Sequence, residues 1–287
     1  MAPVPHVPRP PSPVPSGRSV LQRSVKAVAA GADVLRRPSP GVVVLIYHRV
    51  GGGSGTAVDL APELFDEQMA VLAGTGSVVT LEAALAELEA EPTLDAAPRI
   101  VITFDDGTAD FVDVALPILE RHRLPVTLYA ATGFIDEGRP FPDDGAPVSW
   151  SGLRDASATG LVDVGSHTHT HQLLDRLSPA QVPAELDRSI ELIGEHLGRV
   201  AADFAYPKAL LGSPAAEHAV RARFRSAAVA GTRPNRPGAT DPHRLARSPV
   251  QVGDGMTWFR RKVAGGMGLE DDLRRLANRR RYASATS

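Results

Sequence analysis

Gly41-Val-Val-Val-Leu-Ile-Tyr-His48 is an apolar, β-branched run that ends on a histidine. Apolar character without alternation marks a strand buried on both faces, as in a parallel sheet. Working outward, similar runs recur at Arg99–Phe104, Pro125–Ala130, Leu161–Gly165 and Ser226–Ala230. A shorter one lies at Asp203–Tyr206, and another short strand begins near Arg247. Helical patterns separate them. Ser178-Pro179 and Ser213-Pro214 each offer an N-cap followed by Pro at the first helical position. After Ser178, residues Val182, Leu186, Ile190, Ile193 and Leu197 keep the spacing of one helix face. Strands alternating with helices in this way predict a parallel α/β domain.

Composition bounds the rest. The chain has 287 residues, 43% hydrophobic and 22% charged, with a formal net charge of -2. That is enough apolar material for a sizeable core, and no global basic field points to nucleic acid. Cysteine is absent, which removes disulfides, thiolate metal sites and cysteine nucleophiles, so a metal would have to be held by His and carboxylate. Seven prolines fall in MAPVPHVPRPPSPVP at the start, which predicts a disordered, extended head. Residues 18 to 37 read as a short basic lead-in helix with Val20, Leu21, Val25, Val28 and Leu35 on its apolar side; peripheral membrane contact is the alternative there. From residue 41 to 287 about 247 residues remain, close to the ~250 of one (β/α) barrel, so a single domain is expected. The stretch from Arg260 to Arg281 reads as a C-terminal helix with a basic end. No run reaches the length of a transmembrane span and no secretory leader is evident, which favours the cytoplasm or the cytoplasmic face of the membrane.

The polar residues that stand out follow the expected strands. Arg99–Phe104 runs into Asp105-Asp106-Gly107, Leu161–Gly165 runs into Ser166-His-Thr-His-Thr-His171, and the opening strand runs into His48. In parallel α/β barrels the strand C-terminal ends form the active face. Two adjacent carboxylates there can divide two roles, one binding a cation and the other accepting a proton from water; Asp-Gly is equally a favoured turn pair. His167 and His171, four apart, can meet one ion from a helix start or a tight loop, and with one carboxylate they complete a three-ligand set with an open position. A histidine-rich loop without metal is the competing reading. His169 should point away. Phe141-Pro-Asp-Asp-Gly145 follows no strand and reads as a loop.

Taken together these segments resemble the polysaccharide deacetylases of the NodB-homology type, carbohydrate esterase family 4. Thr103-Phe-Asp-Asp-Gly107 is similar to the family's first motif, Ser166–His171 to its second, and Phe204-Ala-Tyr-Pro-Lys-Ala209 to its third. The Trp150-Ser-Gly-Leu segment leading to Gly165-Ser-His fits the spacing, and the likeness covers approximately residues 41 to 265. It implies a distorted (β/α) barrel of seven parallel strands. Asp105 would be the catalytic base, and Asp106, His167 and His171 the ligands of a divalent metal, usually zinc, with nickel, cobalt or iron as alternatives. The Lys208 backbone amide would help to stabilise the oxyanion, and Arg247 would orient the base. The family's late Leu-x-His acid is missing. Members acting on biofilm poly-N-acetylglucosamine instead carry an N-terminal Tyr-His segment, which Tyr47-His48-Arg49-Val50 resembles, so His48 is the candidate acid.

Two positions depart from the pattern. Lys208-Ala209 stands where the third motif usually ends in Tyr-Gly, and Thr108 where a Tyr usually follows Asp-Asp-Gly. The expected activity is metal-dependent removal of N-acetyl, or O-acetyl, groups from an acetylated glycan or carrier-linked sugar. The alternatives are a metal hydrolase of a non-sugar amide or ester, and a weakly catalytic carbohydrate-binding barrel. Aromatic residues are only 5%, and Tyr47, Trp150, Tyr206 and Trp258 define no long stacking groove, which leans toward a short or carrier-linked glycan.

Overall fold

The computed structural model describes residue 26, residue 31, residues 41–91 and residues 98–273. The Pro-rich head, all of the lead-in helix except Lys26 and Gly31, and the basic end of the C-terminal helix lie outside the described residues. Seven parallel strands close a barrel in the order β1 (Val42–Tyr47), β4 (Arg99–Phe104), β5 (Val126–Ala130), β6 (Val162–Ser166), β7 (Asp203–Ala205), β8 (Ser226–Ala230) and β9 (Leu245–Pro249). β9 pairs back onto β1 through Val44 and Arg247, which closes the circle. Two short strands, β2 (Arg49–Val50) and β3 (Asp59–Leu60), form a separate parallel pair beside the mouth. Every strand expected from the sequence is present within a residue or two. Arg247 sits in the middle of β9 rather than near its start, because the ladder with β8 already begins at Leu245.

The helices follow local signals. Helix α1 (Pro62–Thr75) has Pro at its first turn and stops where Gly76 turns left-handed at φ 62°. Helix α2 (Leu81–Glu89) is capped by Thr80, whose hydroxyl accepts from Ala83 N at 3.2 Å. Helix α3 (Leu116–His122) precedes β5, and the one-turn α4 (Thr132–Asp136) follows it. Ser149 caps α5 (Trp150–Ala158) and Ser213 caps α7 (Pro214–Arg221), the latter as the sequence predicts. Helix α6 spans Gln181–Leu197, so it starts beyond Ser178-Pro179. There the Gln181 side chain takes hydrogen bonds from both the backbone N and the hydroxyl of Ser178 (3.0 and 2.9 Å), making a lead-in turn in place of a cap. Val182, Leu186 and Ile193 of its expected face are buried, and Ile190 and Leu197 pack partly buried against them.

Beyond β9, helix α8 (Gly255–Val263) ends, and helical structure resumes at residue 268. The single C-terminal helix read from the sequence is therefore broken in two, at Gly265 (φ 77°) and Met267 (φ 71°), where the chain turns left-handed. The buried apolar residues divide into two large clusters and a small third one of Ala131, Phe134 and Phe141. The largest joins one face of the strands to the surrounding helices. The second gathers Val42, Val44, Val101, Tyr129, Ala205, Ala228 and Leu245 from the other face with Leu81, Ala84, Leu85 and Leu88 of α2. Helix α2 thus packs on the inner face of the barrel, leaving the opposite, C-terminal mouth to polar residues. Lys26 is 5% exposed and donates to Asp254 at 2.5 Å, where Lys262 also donates at 2.7 Å, so a lead-in residue is held by a buried ion pair. No helix among the described residues is long and apolar enough to cross a membrane.

Candidate active site

The C-terminal strand ends gather the residues singled out in the sequence. Asp105 follows β4 directly, and its amide still donates to Tyr47 O of β1 at 3.0 Å, extending the ladder by one residue. Asp106 then turns left-handed at φ 75° and Gly107 at φ 96°. Asp105 and Asp106 thus send their carboxylates to different partners, Asp105 to Arg247 and Asp106 toward His167 and His171. Asp105 lies 3% exposed and Asp106 reaches into the mouth.

His167 prolongs β6 in the same manner, its amide donating to Ala130 O at 2.9 Å. The following loop is tight, with Thr168 at φ 66° and His171 at φ 61°. Thr168 stabilises it by accepting from His171 N at 3.0 Å, and Glu185 of α6 receives both the amide and the hydroxyl of Thr170. His169 turns out of the cluster and its Nδ1 contacts Thr132 Oγ1 at 3.1 Å, as expected.

Asp106, His167 and His171 each present one ligand atom, and the three atoms lie within 4.8 Å of one another. Asp106 Oδ1 is 3.3 Å from His171 Nε2 and 3.7 Å from His167 Nε2. A second feature shows that the set fits a divalent metal. His167 Nδ1 donates to the Ala205 carbonyl at 2.7 Å, which fixes the proton on that nitrogen and leaves the Nε2 lone pair facing the cluster. Burial lowers the pKa of both imidazoles. For His171 the neighbouring His167 adds to burial, the two outweighing Asp106, and its pKa falls to about 4. For His167 burial outweighs the opposing pull of Asp105 and Asp106. Both rings are therefore neutral near pH 7, the form that ligates metals.

Asp105 has a different partner. Arg247, fully buried on β9, donates to it twice, Nη1 to Oδ1 at 2.6 Å and Nη2 to Oδ2 at 2.9 Å. Burial alone would raise the Asp105 pKa. The charge of Arg247, helped by His167, by the Arg247 hydrogen bonds and by His48, reverses this and holds it down to about 2. The carboxylate is ionised and oriented, 3.8 Å from His167 Nε2 and so beside the metal-ligand set. His48, half-buried after β1, is close enough for its charge to act on Asp105, and its Nδ1 has no hydrogen-bond partner. Lys208 is exposed and left-handed (φ 57°), and its charge acts on His171 across the mouth.

The structure therefore brings Asp105, Asp106, His167, His171, Arg247, His48 and Lys208 to one end of the barrel. Three contributors escape the sequence reading. Thr103 accepts from Arg247 Nη1 at 3.1 Å, and a signal for it existed, since residues two apart on a strand share a face. Ala205 acts through its carbonyl, which residue identity does not reveal. The segment from Phe141 to Gly145 is a loop as expected, closed by an antiparallel bridge between its ends, yet it places Phe141 stacked on Phe134 at 4.3 Å. Phe134 in turn meets the His171 ring edge-on at 6.4 Å and carries Arg139 over its other side at 3.9 Å. The side wall of the mouth is thus aromatic and cationic, whereas Trp150 stacks on His196.

A closed seven-stranded parallel barrel with this Asp-Asp and His-His arrangement at its mouth has the architecture of the NodB-type deacetylases. Residues 95–227 match the family model described as polysaccharide deacetylase. Among curated proteins it is 28% identical over 118 residues to a poly-beta-1,6-N-acetyl-D-glucosamine N-deacetylase of Staphylococcus aureus, an alignment covering 38% of this chain and 40% of that protein. The chain thus matches less than half the length of these curated relatives. Among solved structures it is similar to IcaB from Ammonifex degensii, with a TM-score of 0.67 and 26% identity over 78% of this chain and 98% of that one. The Streptococcus pyogenes deacetylase PplD, solved in complex with acetate, shares the fold with a TM-score of 0.67 at 21% identity, covering 79% of this chain and 99% of that one.

Proposed function

We propose that this protein is a metal-dependent hydrolase that removes N-acetyl groups from a carbohydrate. The single observation that carries the reading is the placement of an ionised, Arg-clamped Asp105 beside the Asp106–His167–His171 set. The family match and the N-deacetylase relatives of Staphylococcus aureus support a β-1,6-linked N-acetylglucosamine chain, or a carrier-linked sugar of that kind, as substrate class. We take residues 41–287 as one catalytic unit preceded by a lead-in segment.

Asp106, His167 and His171 would hold the cation, zinc suiting two imidazoles and one carboxylate best. Such an ion supplies positive charge that acidifies water and polarises an acyl carbonyl. Asp105 is the base: kept ionised by Arg247, it accepts the proton as water oxygen bonds to the acyl carbon. The Lys208 amide is assigned to donate to the negative charge that develops on the acyl oxygen. His48 then delivers a proton to the departing nitrogen as the C–N bond breaks, leaving acetate and an amine. The buried Phe134–Phe141 stack would hold the exposed Arg139 guanidinium near His171, where it could donate to sugar oxygens.

The test is acetate release from β-1,6-linked N-acetylglucosamine oligomers, beside an acetylated non-sugar amide, before and after metal stripping. Release from the sugar that stops on stripping and returns with zinc is expected. Preference for the non-sugar amide, or activity indifferent to stripping, contradicts the reading.

A further inference from the structure

The interior of the barrel below Asp105 is built around one guanidinium. Arg247 has no exposed surface, and its two terminal nitrogens both face Asp105. The side chain reaches from β9 past β1 to the end of β4. Two other residues constrain it. Thr103 Oγ1 donates to the backbone carbonyl of Leu45 at 2.7 Å, which commits its only proton and leaves a lone pair for Arg247 Nη1 at 3.1 Å. Nη1 is thereby shared between Thr103 and Asp105 Oδ1. The ring of Tyr129 lies under the guanidinium carbon at 5.0 Å, within cation–π range in a site closed to water. The Tyr129 hydroxyl has no hydrogen-bond partner and cannot be the reason the residue is held there; its ring is what meets the arginine. Gly165 makes room for that ring, since a Cβ there would fall 2.8 Å from it.

We infer that Thr103 and Tyr129 are positioning residues for the reaction: Thr103 locks the guanidinium from its edge and Tyr129 from its face, so that Arg247 presents both N–H groups to Asp105. This rests on the assignment of Asp105 as the base. Thr103 bonds to Leu45 and Arg247, and the Tyr129 ring meets Arg247, so their effect should reach the reaction rate while leaving the metal in place. Valine at position 103 keeps the branched shape and strand preference but cannot accept a hydrogen bond. Serine keeps the acceptor.

The experiment compares kcat, KM, bound zinc and melting temperature for the zinc-loaded full chain on β-1,6-linked N-acetylglucosamine oligomers. Thr103→Val should lower kcat roughly 10- to 100-fold, as expected for a lost hydrogen bond to a buried charge, with KM and zinc content retained. Thr103→Ser should recover most of that loss. Tyr129→Leu should slow the reaction more than Tyr129→Phe, which keeps the ring. In an Arg247→Lys background, Thr103→Val should add less than about threefold, because its target is gone. Full kcat in Thr103→Val, the same fold-loss with and without Arg247, or a loss of zinc in step with activity each overturns the inference. Asp105→Asn, assayed alongside, separates the two levels. An inactive Asp105→Asn beside an unaffected Thr103→Val rejects the positioning role alone, whereas a fully active Asp105→Asn rejects the base assignment itself.

Discussion

Replacing Arg247 with methionine should convert Asp105 from a stabilising group into a destabilising one. In the native protein the carboxyl is held down at about 2 against an ordinary 3.8, although it is buried. A group depressed in the folded state contributes stability above its unfolded pKa and loses it as pH falls through the folded value. Here that window runs from about pH 4 down to about 2, and the shift corresponds to about 2 kcal/mol. Without Arg247, burial becomes the dominant influence and the Asp105 pKa moves above its ordinary value. The sign then reverses: the buried carboxyl costs stability increasingly as pH rises, because the unfolded chain ionises it freely and the folded one does not. Stranding one partner of a buried, doubly hydrogen-bonded pair typically costs 3–5 kcal/mol. Urea denaturation of metal-stripped protein at pH 8 and pH 5 reads this directly. Arg247→Met should lose about 3–5 kcal/mol at pH 8 and less at pH 5, and Asp105→Asn combined with Arg247→Met should recover part of the loss. A deficit under about 1 kcal/mol at pH 8, or one equal at both pH values, would show that the pair is not the buried clamp described.

Two further outcomes follow from other contacts. Thr168→Ala removes the hydroxyl that accepts from His171 N, and zinc affinity measured by competition with a chromogenic chelator should fall about 10- to 100-fold; unchanged affinity would mean the left-handed loop holds His171 without it. Asp254→Ala leaves the Lys26 and Lys262 ammonium groups buried with their shared carboxylate gone, so stability to urea should drop by about 3–5 kcal/mol. Deleting residues 1–40 should then lessen the further cost of Asp254→Ala, and equal costs in both backgrounds would sever the lead-in segment from the folded unit.

Much of this arrangement is legible in the sequence because of where the barrel puts its chemistry. β1 and β4 are buried on both faces, so Val42–Tyr47 and Arg99–Phe104 are written almost wholly in apolar residues, and the first polar residues after them mark the strand ends. His48 stands at the end of β1, Asp105 and Asp106 at the end of β4, and His167 and His171 after β6. β9 is harder to read, since Leu-Ala-Arg-Ser-Pro carries a charge in mid-strand that only the opposing Asp105 explains. The Ser178-Pro179 start was misleading for a similar reason: the Gln181 side chain occupies the Ser178 groups that a cap would use. The aromatic wall depends on Phe134 and Phe141 meeting through a turn at Gly138, left-handed at φ 61°, where the Arg139 amide donates to Phe134 O at 3.0 Å. A lone glycine permits such a turn without announcing which rings it brings together. Contacts made by backbone carbonyls, such as Ala205 with His167, leave no residue signature.

In the proposed reaction Asp105, clamped by Arg247 beside the Asp106–His167–His171 set, takes the proton from water. This role is tested most directly by Asp105→Asn in zinc-loaded protein, measured for acetate release and for zinc content. The amide keeps the shape of the side chain and cannot accept the proton as a base. The account predicts a drop in kcat of about 10²- to 10⁴-fold with zinc still bound. Acetate release at the native rate by a zinc-bound Asp105→Asn protein would contradict it.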